Sequence, residues 1–403
     1  MNVLFLTIGG VSNISDNAVY PDLLRYFSDQ GHSVYVVCQL ERRLGKPTQI
    51  SKECGITVLR VKTGNITKVN IIEKGLSTFL IGYHFKRAIR KFFKDIEFDL
   101  ILYSTPPITI ANTVSSIKKK YKSFSYLMLK DIFPQNAIDL RILSYSGWKS
   151  IFTKYFRRKE IQLYKSSDFI GCMSEANKRY LLQHNTYIDS KKVSICPNTI
   201  NPANIKNKSQ SLLRKEFNIP ENKTVFIYGG NFGKPQNVEY IIEVLKKNNK
   251  DDRHFVLCGS GTDFYKLEDY LRHNQQNVSI LKSLPKEEYF DLLCACDVGL
   301  IFLDFRFTIP NIPSRILDYM NYGLPVLAST DEATDLKQII EEGEFGWWCR
   351  SDDSEQFSNI VDQICLNKQE LEIKGKQGRK YLEQHFVTSI AYNKIIEAFK
   401  KGS

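Results

Sequence analysis

Thr308–Thr330, TIPNIPSRILDYMNYGLPVLAST, is the stretch whose reading decides the fold. Pro310 and Pro313 mark a loop, the pattern predicts a helix from about Ser314 to Tyr322, and Gly323 supplies a left-handed stop. The apolar run Pro325–Ser329 has the length and low polarity of a buried strand. Ser314 is placed to cap the helix with its hydroxyl, and Arg315 falls in the first turn. A helix start beside parallel strand ends gathers unpaired N–H groups and a positive dipole end, which suits a phosphate. One turn on, the Asp318 carboxylate is positioned to accept hydrogen bonds from a sugar diol. An amphipathic helix and strand of any α/β sheet give the same pattern.

The run from Pro313 to Val326, PSRILDYMNYGLPV, resembles the nucleotide-sugar motif of the family 4 retaining glycosyltransferases. That resemblance implies the GT-B fold, an α/β architecture of two Rossmann-like domains facing a central cleft. It also implies that the acidic residue at the place of Asp318 binds the donor's ribose hydroxyls. The family usually carries a second Glu eight positions earlier, where this chain has Pro310. The departure sets it near the branch with a "PSK-type" loop, which includes transferases of amino-dideoxy sugars such as N-acetylfucosamine in bacterial surface polysaccharide synthesis.

A chain of 403 residues exceeds what one core usually supports, so two domains are expected. With the resemblance, the boundaries are 1–200 for an acceptor-side domain completed by the terminal helix 386–403, a polar linker at 201–222, and a nucleotide-sugar-binding domain at 223–385. No apolar run reaches the roughly 18 to 20 residues needed to span a bilayer. Met1 to Val11 lacks a basic leader and cleavage site, and is expected to be the first strand. Nine scattered cysteines fit reduced thiols in a cytosol better than a disulfide framework. Cys294-Ala-Cys296 has no second pair or nearby His to complete a metal site.

The net charge of +12 is unevenly distributed. Residues 1–200 hold 30 Lys and Arg against 15 Asp and Glu; the remainder holds 26 against 29. A basic half implies nucleic acid, an anionic membrane or an anionic substrate. No RNA-binding module is visible, so nucleic acid is not expected. Two basic-aromatic segments, His84–Lys94 and Trp148–Lys165, have the composition of helices that lie on an anionic leaflet. Helices facing their own core can show the same spacing.

From the start of the chain, the strand Val3–Ile8 runs into Gly9-Gly10, where missing side chains let backbone approach a phosphate. The order of Gly pair, helix, Gly31-His32 and strand again resembles the family 4 opening. Strands and helices then alternate, as in a parallel doubly wound sheet. The strand Phe124–Leu129 delivers Lys130 and Asp131 at its carboxyl end, where open α/β sheets keep their chemistry. This element is similar to the family's D-x-[WYF]-P loop, with Lys130 where many relatives have His. None of the six His residues lies in the loop.

In the second half, Thr224–Tyr228 and the turn Gly229-Gly230-Asn231-Phe232-Gly233-Lys234 form a strand and Gly-rich cradle, with Lys234 in reach of a diphosphate. The family commonly places an Arg and a Lys in this loop; Asn231 and Gln236 stand near those places, leaving Lys234 and Arg315 to substitute. Leu284 lies in a segment resembling the loop whose backbone meets the base. Gly259-Ser-Gly261 begins a dinucleotide fingerprint, but Phe264 occupies its third glycine position and no acidic residue closes a following strand, which argues against a hydride-transferring dehydrogenase.

Together these residues predict a GT-B glycosyltransferase moving a sugar from a nucleotide donor, UDP through the resemblance, to a glycan or a polyprenyl-diphosphate-linked acceptor. Gly9, Gly10, Gly230, Asn231, Gly233, Leu284, Pro313, Ser314 and Asp318 are the candidate donor-binding residues, and Asp131, Lys130, Lys234 and Arg315 the candidate catalytic ones. No Asp-x-Asp triplet occurs, so neither metal nor cofactor is expected and helix dipoles with Lys and Arg neutralise the leaving group. The resemblance implies retention by front-face attack, with Asp131 orienting the acceptor or stabilising charge on the sugar. A nucleotide-sugar epimerase and a non-catalytic binding protein are the alternatives.

Overall fold

A computed structural model of the chain describes residues 1–9, 11–66, 71–203, 208–273 and 277–402. The chain divides into two compact units, Met1–Asn201 with Val387–Ser403, and Pro202–Phe386.

Among the described residues, the first unit holds an eight-stranded sheet: β1 (Asn2–Thr7), β2 (Ser33–Glu41), β3 (Gln49–Glu53), β4 (Ile56–Thr63), β5 (Leu100–Ser104), β6 (Phe124–Leu129), β7 (Phe169–Cys172) and β8 (Val193–Ile195). Its order is β3-β4-β2-β1-β5-β6-β7-β8, parallel except for the β3–β4 pair. The β3 hairpin is absent from the sequence reading, because its alternating polar residues give no continuous apolar signal. The central strands are buried throughout, as strands covered by helices on both faces must be. The helix Thr388–Gly402 joins this unit by inserting Ala391, Ile395 and Ala398 into the core around Phe27 and Phe124. Burying Ile395 alone is worth about 2 kcal/mol. A parallel bridge between Ile200 and Val387 lays the two chain crossings side by side.

The second unit holds six parallel strands: β9 (Thr224–Asn231), β10 (Arg253–Ser260), β11 (Val278–Lys282), β12 (Val298–Phe302), β13 (Val326–Thr330) and β14 (Gly346–Arg350), in the order β11-β10-β9-β12-β13-β14. Strand order reverses between β9 and β12, which places β9 at the switch point where such sheets bind ligands. The segment 201–222 is not a plain linker. It contains the helix Gln210–Glu216, whose buried Arg214 donates to the Ala295 carbonyl at 2.9 Å and pairs with Asp297 at 2.7 Å. Residues 204–207 of that segment lie outside the described ones. All nine cysteines are free thiols. Among the described residues no helix is long and apolar enough to cross a membrane.

Candidate functional site

In the second unit the candidate residues gather at the carboxyl end of β9. The predicted helix forms as Arg315–Asn321, and Gly323 stops it with φ +69°. Ser314 does not cap it: its own backbone is helical, at φ −62° and ψ −19°, so the hydroxyl is not set to reach back to an N–H, and it is exposed. Pro313 beside it is partly buried.

Arg315 sits over the Tyr228 ring, with its guanidinium carbon 4.2 Å from the ring centroid. Cation–π contact holds the side chain in place without neutralising it. One guanidinium nitrogen, Nη1, is buried and has no hydrogen-bond partner among the described residues. A buried cation without an acceptor costs free energy unless something supplies one. Gly230, with φ +135°, makes room: a Cβ there would stand 3.1 Å from Nη2 of Arg315. The Tyr228 hydroxyl donates to the Asn231 carbonyl at 2.7 Å, which fixes the turn on the strand that supplies the ring.

Beyond Gly230, the Gln236 side chain accepts from Asn231 at 2.9 Å and from the Gly233 amide at 3.2 Å, closing the loop on itself. Asn231 is exposed and Gly233 buried; Lys234 is exposed in a short 3-10 turn and has no ion-pair partner among the described residues. Asp318 is partly exposed one turn after Arg315, and its charge helps hold the Tyr289 and Tyr319 phenols, already raised by burial, above their ordinary range. Leu284 sits half-buried between β11 and the helix Lys286–Ala295.

The sequence reading gave no role to three tyrosines, and read Gly259 and Gly261 only as the start of a dinucleotide fingerprint. Tyr319 donates to the Leu300 carbonyl at 3.1 Å and accepts from the Gly229 amide at 3.3 Å, and Tyr289 presses on Gly229, where a Cβ would lie 2.0 Å from its hydroxyl. These rings and Tyr228 fix the floor under Arg315. Gly259 and Gly261 serve close packing: a Cβ at either would lie 1.8 Å from the Gly230 carbonyl oxygen or 2.0 Å from that of Phe232. That crowding explains the partial fingerprint without a dinucleotide.

In the first unit, Lys130 and Asp131 follow β6. The Thr105 hydroxyl accepts from both of their backbone amides at 3.0 Å. Asn136 donates to both oxygens of Asp131 at 2.8 Å. Burial pushes the Asp131 carboxyl up to about 6 against the opposing pull of Asn136 and a backbone amide. Burial likewise brings the Lys130 ammonium down to about 8, against nearby thiols, and its Nζ donates to the Cys196 carbonyl at 3.3 Å. A carboxyl that changes charge just below neutral pH is suited to proton or charge work. Gly9 is exposed after β1, its carbonyl accepting from Thr7 at 2.8 Å; Gly10 lies outside the described residues.

Residues 19–204 match the family described as Glycosyltransferase Family 4, and residues 209–381 match Glycosyl transferases group 1. The chain carries both glycosyltransferase domains. The probable glycosyltransferase WbjE of Pseudomonas aeruginosa is 24% identical over 343 residues, covering 81% of this chain and 80% of that protein. Among solved structures, sucrose-phosphate synthase from Thermosynechococcus elongatus superposes with a TM-score of 0.78 at 13% identity, covering 99% of this chain and 98% of its own. HepE from Anabaena, solved in complex with UDP-glucose, gives 0.71 at 15% identity, covering all of both chains. The fold is GT-B. In these terms the Arg315 cluster belongs to the group 1 domain and the Lys130–Asp131 pair to the family 4 domain.

Proposed function

We propose that this glycosyltransferase moves a sugar, an N-acetylated deoxyhexosamine, from a UDP-linked donor to a glycan or polyprenyl-diphosphate-linked acceptor, with retention of configuration, in the synthesis of a bacterial surface polysaccharide. The observation that carries the reading is the Arg315 guanidinium held over Tyr228, with Nη1 buried and without an acceptor among the described residues, beside a Gly-rich turn carrying the exposed Lys234. A diphosphate supplies the missing acceptor and the missing counter-charge together. WbjE and the putative colanic acid biosynthesis glycosyl transferase WcaI of Escherichia coli, 24% identical over 132 residues, support the polysaccharide setting; HepE supports the UDP-linked donor.

In this reading Arg315, Lys234 and the backbone at Gly230, Asn231 and Gly233 take the diphosphate, and no metal takes part. Asp318 accepts from the ribose hydroxyls, Pro313 and Ser314 line the same edge, and the backbone at Leu284 meets the base. On the family 4 side, the missing side chain of Gly9 leaves room for a phosphate at the carboxyl end of β1. The bond from the anomeric carbon to the diphosphate oxygen breaks and one to the acceptor oxygen forms on the same face. The acceptor proton passes to the departing phosphate, whose charge Arg315 and Lys234 stabilise. Asp131, ionised above about pH 6, orients the acceptor or stabilises positive charge on the ring, and Lys130 sets the local charge beside it. The reaction takes place on the inner face of the cell membrane.

Calorimetric titration with UDP and with UDP-sugars tests the donor, and NMR of the product's anomeric proton tests retention. Micromolar binding of UDP that is lost with Arg315→Ala is expected. Failure of any nucleotide to bind overturns the reading, and donor turnover without acceptor replaces it with epimerisation.

A further inference from the structure

The family 4 domain exposes an apolar face that its own core does not use. On the helix Ile71–Phe92, Leu76, Phe79, Leu80 and Tyr83 follow one another at steps of three and four residues, and all are exposed, Leu76 at 61%. Residues at that spacing share one helix face, here the solvent-facing one. On the helix Lys149–Ser166 the same holds for Trp148, Ile151 and Phe152, at 71%, 69% and 49% exposure. The two stripes are neighbours: the Phe79 and Tyr155 rings lie 5.9 Å apart, and Tyr155 is one turn on from Ile151 and Phe152. Trp148 packs edge-on against Phe152 at 6.0 Å and, with Arg141, Tyr145 and Lys149, lines an open groove of about 620 Å³. A patch this large and contiguous marks an interaction surface.

Charge selects the partner. Residues 76–94 and 141–159 contain eleven Lys and Arg and no Asp or Glu. Arg87 and Arg90 extend the apolar stripe along the same face of the first helix, and both are exposed without an ion-pair partner among the described residues. Lys154 and Arg158 flank the second stripe in the same state. A second copy of this chain docking face to face would set these cations against themselves. An anionic phospholipid leaflet accepts the rings and aliphatic tips at headgroup depth and the cations at its surface.

We infer that this face, Leu76-Phe79-Leu80-Tyr83 with Trp148-Ile151-Phe152 and its rim of Arg87, Arg90, Lys154 and Arg158, is the surface by which the protein docks on an anionic membrane leaflet. Arg157, inside the same basic run, is not part of it. It pairs with Glu160 at 2.8 Å, donates to the Tyr145 hydroxyl at 2.8 Å and bonds Gln135, so its role is internal. The inference rests on the family 4 domain's surface and is independent of the transfer chemistry.

Sedimentation of the full chain with vesicles tests it, comparing phosphatidylcholine alone with phosphatidylcholine containing phosphatidylglycerol. Binding to the anionic vesicles alone is expected, with release at about 1 M salt. The pair Lys154→Ser and Arg158→Ser is expected to weaken binding about thirtyfold, at about 1 kcal/mol for each cation. The pair Trp148→Ser and Ile151→Ser is expected to weaken it at least as much, with the thermal melt and UDP titration unchanged. A blue shift of the Trp148 fluorescence on vesicle addition, taken as the difference from Trp148→Phe, places that ring in the headgroup region. No vesicle binding in low salt overturns the inference, as does equal binding to neutral vesicles. Self-association removed by the Trp148 and Ile151 changes, without vesicle binding, assigns the face to a second copy instead. Each outcome is separate from the donor reading, which nucleotide titration alone decides.

Discussion

The two units keep charge at their strand ends in opposite ways. In the group 1 domain Arg315 is a permanent cation, held over Tyr228, with one nitrogen that has no acceptor among the described residues. In the family 4 domain Lys130 and Asp131 have internal partners in Cys196, Thr105 and Asn136, and burial pushes both toward their neutral forms. A site that cannot neutralise itself waits for an anion from outside. A site that is internally satisfied and titrates near neutrality is set to respond to a proton or to charge that appears only during reaction. In the proposed reading the first site holds a standing anion and stabilises its added charge as it leaves, and the second answers charge that appears only during the reaction.

The largest effect is expected where both free cations are removed. Arg315→Ala with Lys234→Ala should lower turnover by roughly a thousandfold, since loss of even one pre-organised charge partner of a leaving group costs about two orders of magnitude. Steady-state kinetics with the donor varied checks this, and turnover within about tenfold of the parent would break the binding half of the comparison.

Asp131→Asn is expected next, with turnover about a hundredfold lower and donor affinity unchanged. The same change should stabilise the fold. Asp131 holds its proton to about pH 6 when folded, against an ordinary 3.8, so between those values the folded chain binds more protons than the unfolded one. Stability therefore falls as pH rises through that window, and the penalty is complete above it. Denaturant melts of Asp131→Asn at pH 7.5 should show a gain on the order of 1 to 3 kcal/mol that disappears toward pH 4. A loss of stability at neutral pH would show that Asn136 and the backbone outweigh burial.

Asp318→Asn should weaken UDP binding by about 1.5 to 3 kcal/mol, the worth of a hydrogen bond to a charged acceptor. Calorimetry against UDP and against inorganic diphosphate sharpens the contrast, because only UDP carries the ribose. The smallest change is expected from Asn136→Ala. Its hydrogen bonds hold the Asp131 carboxyl below where burial alone would put it, so the midpoint of the rate's rise with pH should move above about 6. The rate on the alkaline plateau should change little, and an unmoved midpoint would remove Asn136 from the site.

Local pattern was enough to locate the strand ends. Apolar runs such as Phe124–Leu129 and Val326–Thr330, broken by Gly, Pro and polar residues, have strand length and little else to do, so Lys130, Asp131 and Arg315 fall at element termini whatever the rest of the chain does. The Gly323 stop was legible for the same reason, because only its own backbone and its immediate neighbours are involved. The Ser314 cap was misread on equally local grounds, since serine before a helix is a preference and not a geometry.

What tertiary structure alone decided involves partners far apart in the chain. Tyr228 beneath Arg315, Tyr319 on Gly229, and Gly259 against Gly230 all depend on β9 lying between β10 and β12, an order that no window of sequence contains. The terminal helix enters the first core because Ala391, Ile395 and Ala398 find their complement around Phe27 and Phe124. Helical spacing alone could not tell an aromatic that faces inward, as Phe156 does against Phe133 at 4.9 Å, from one left in solvent, as Trp148 is. Spacing fixes which residues share a face of a helix, whereas packing fixes which face the core covers and which it leaves for something else.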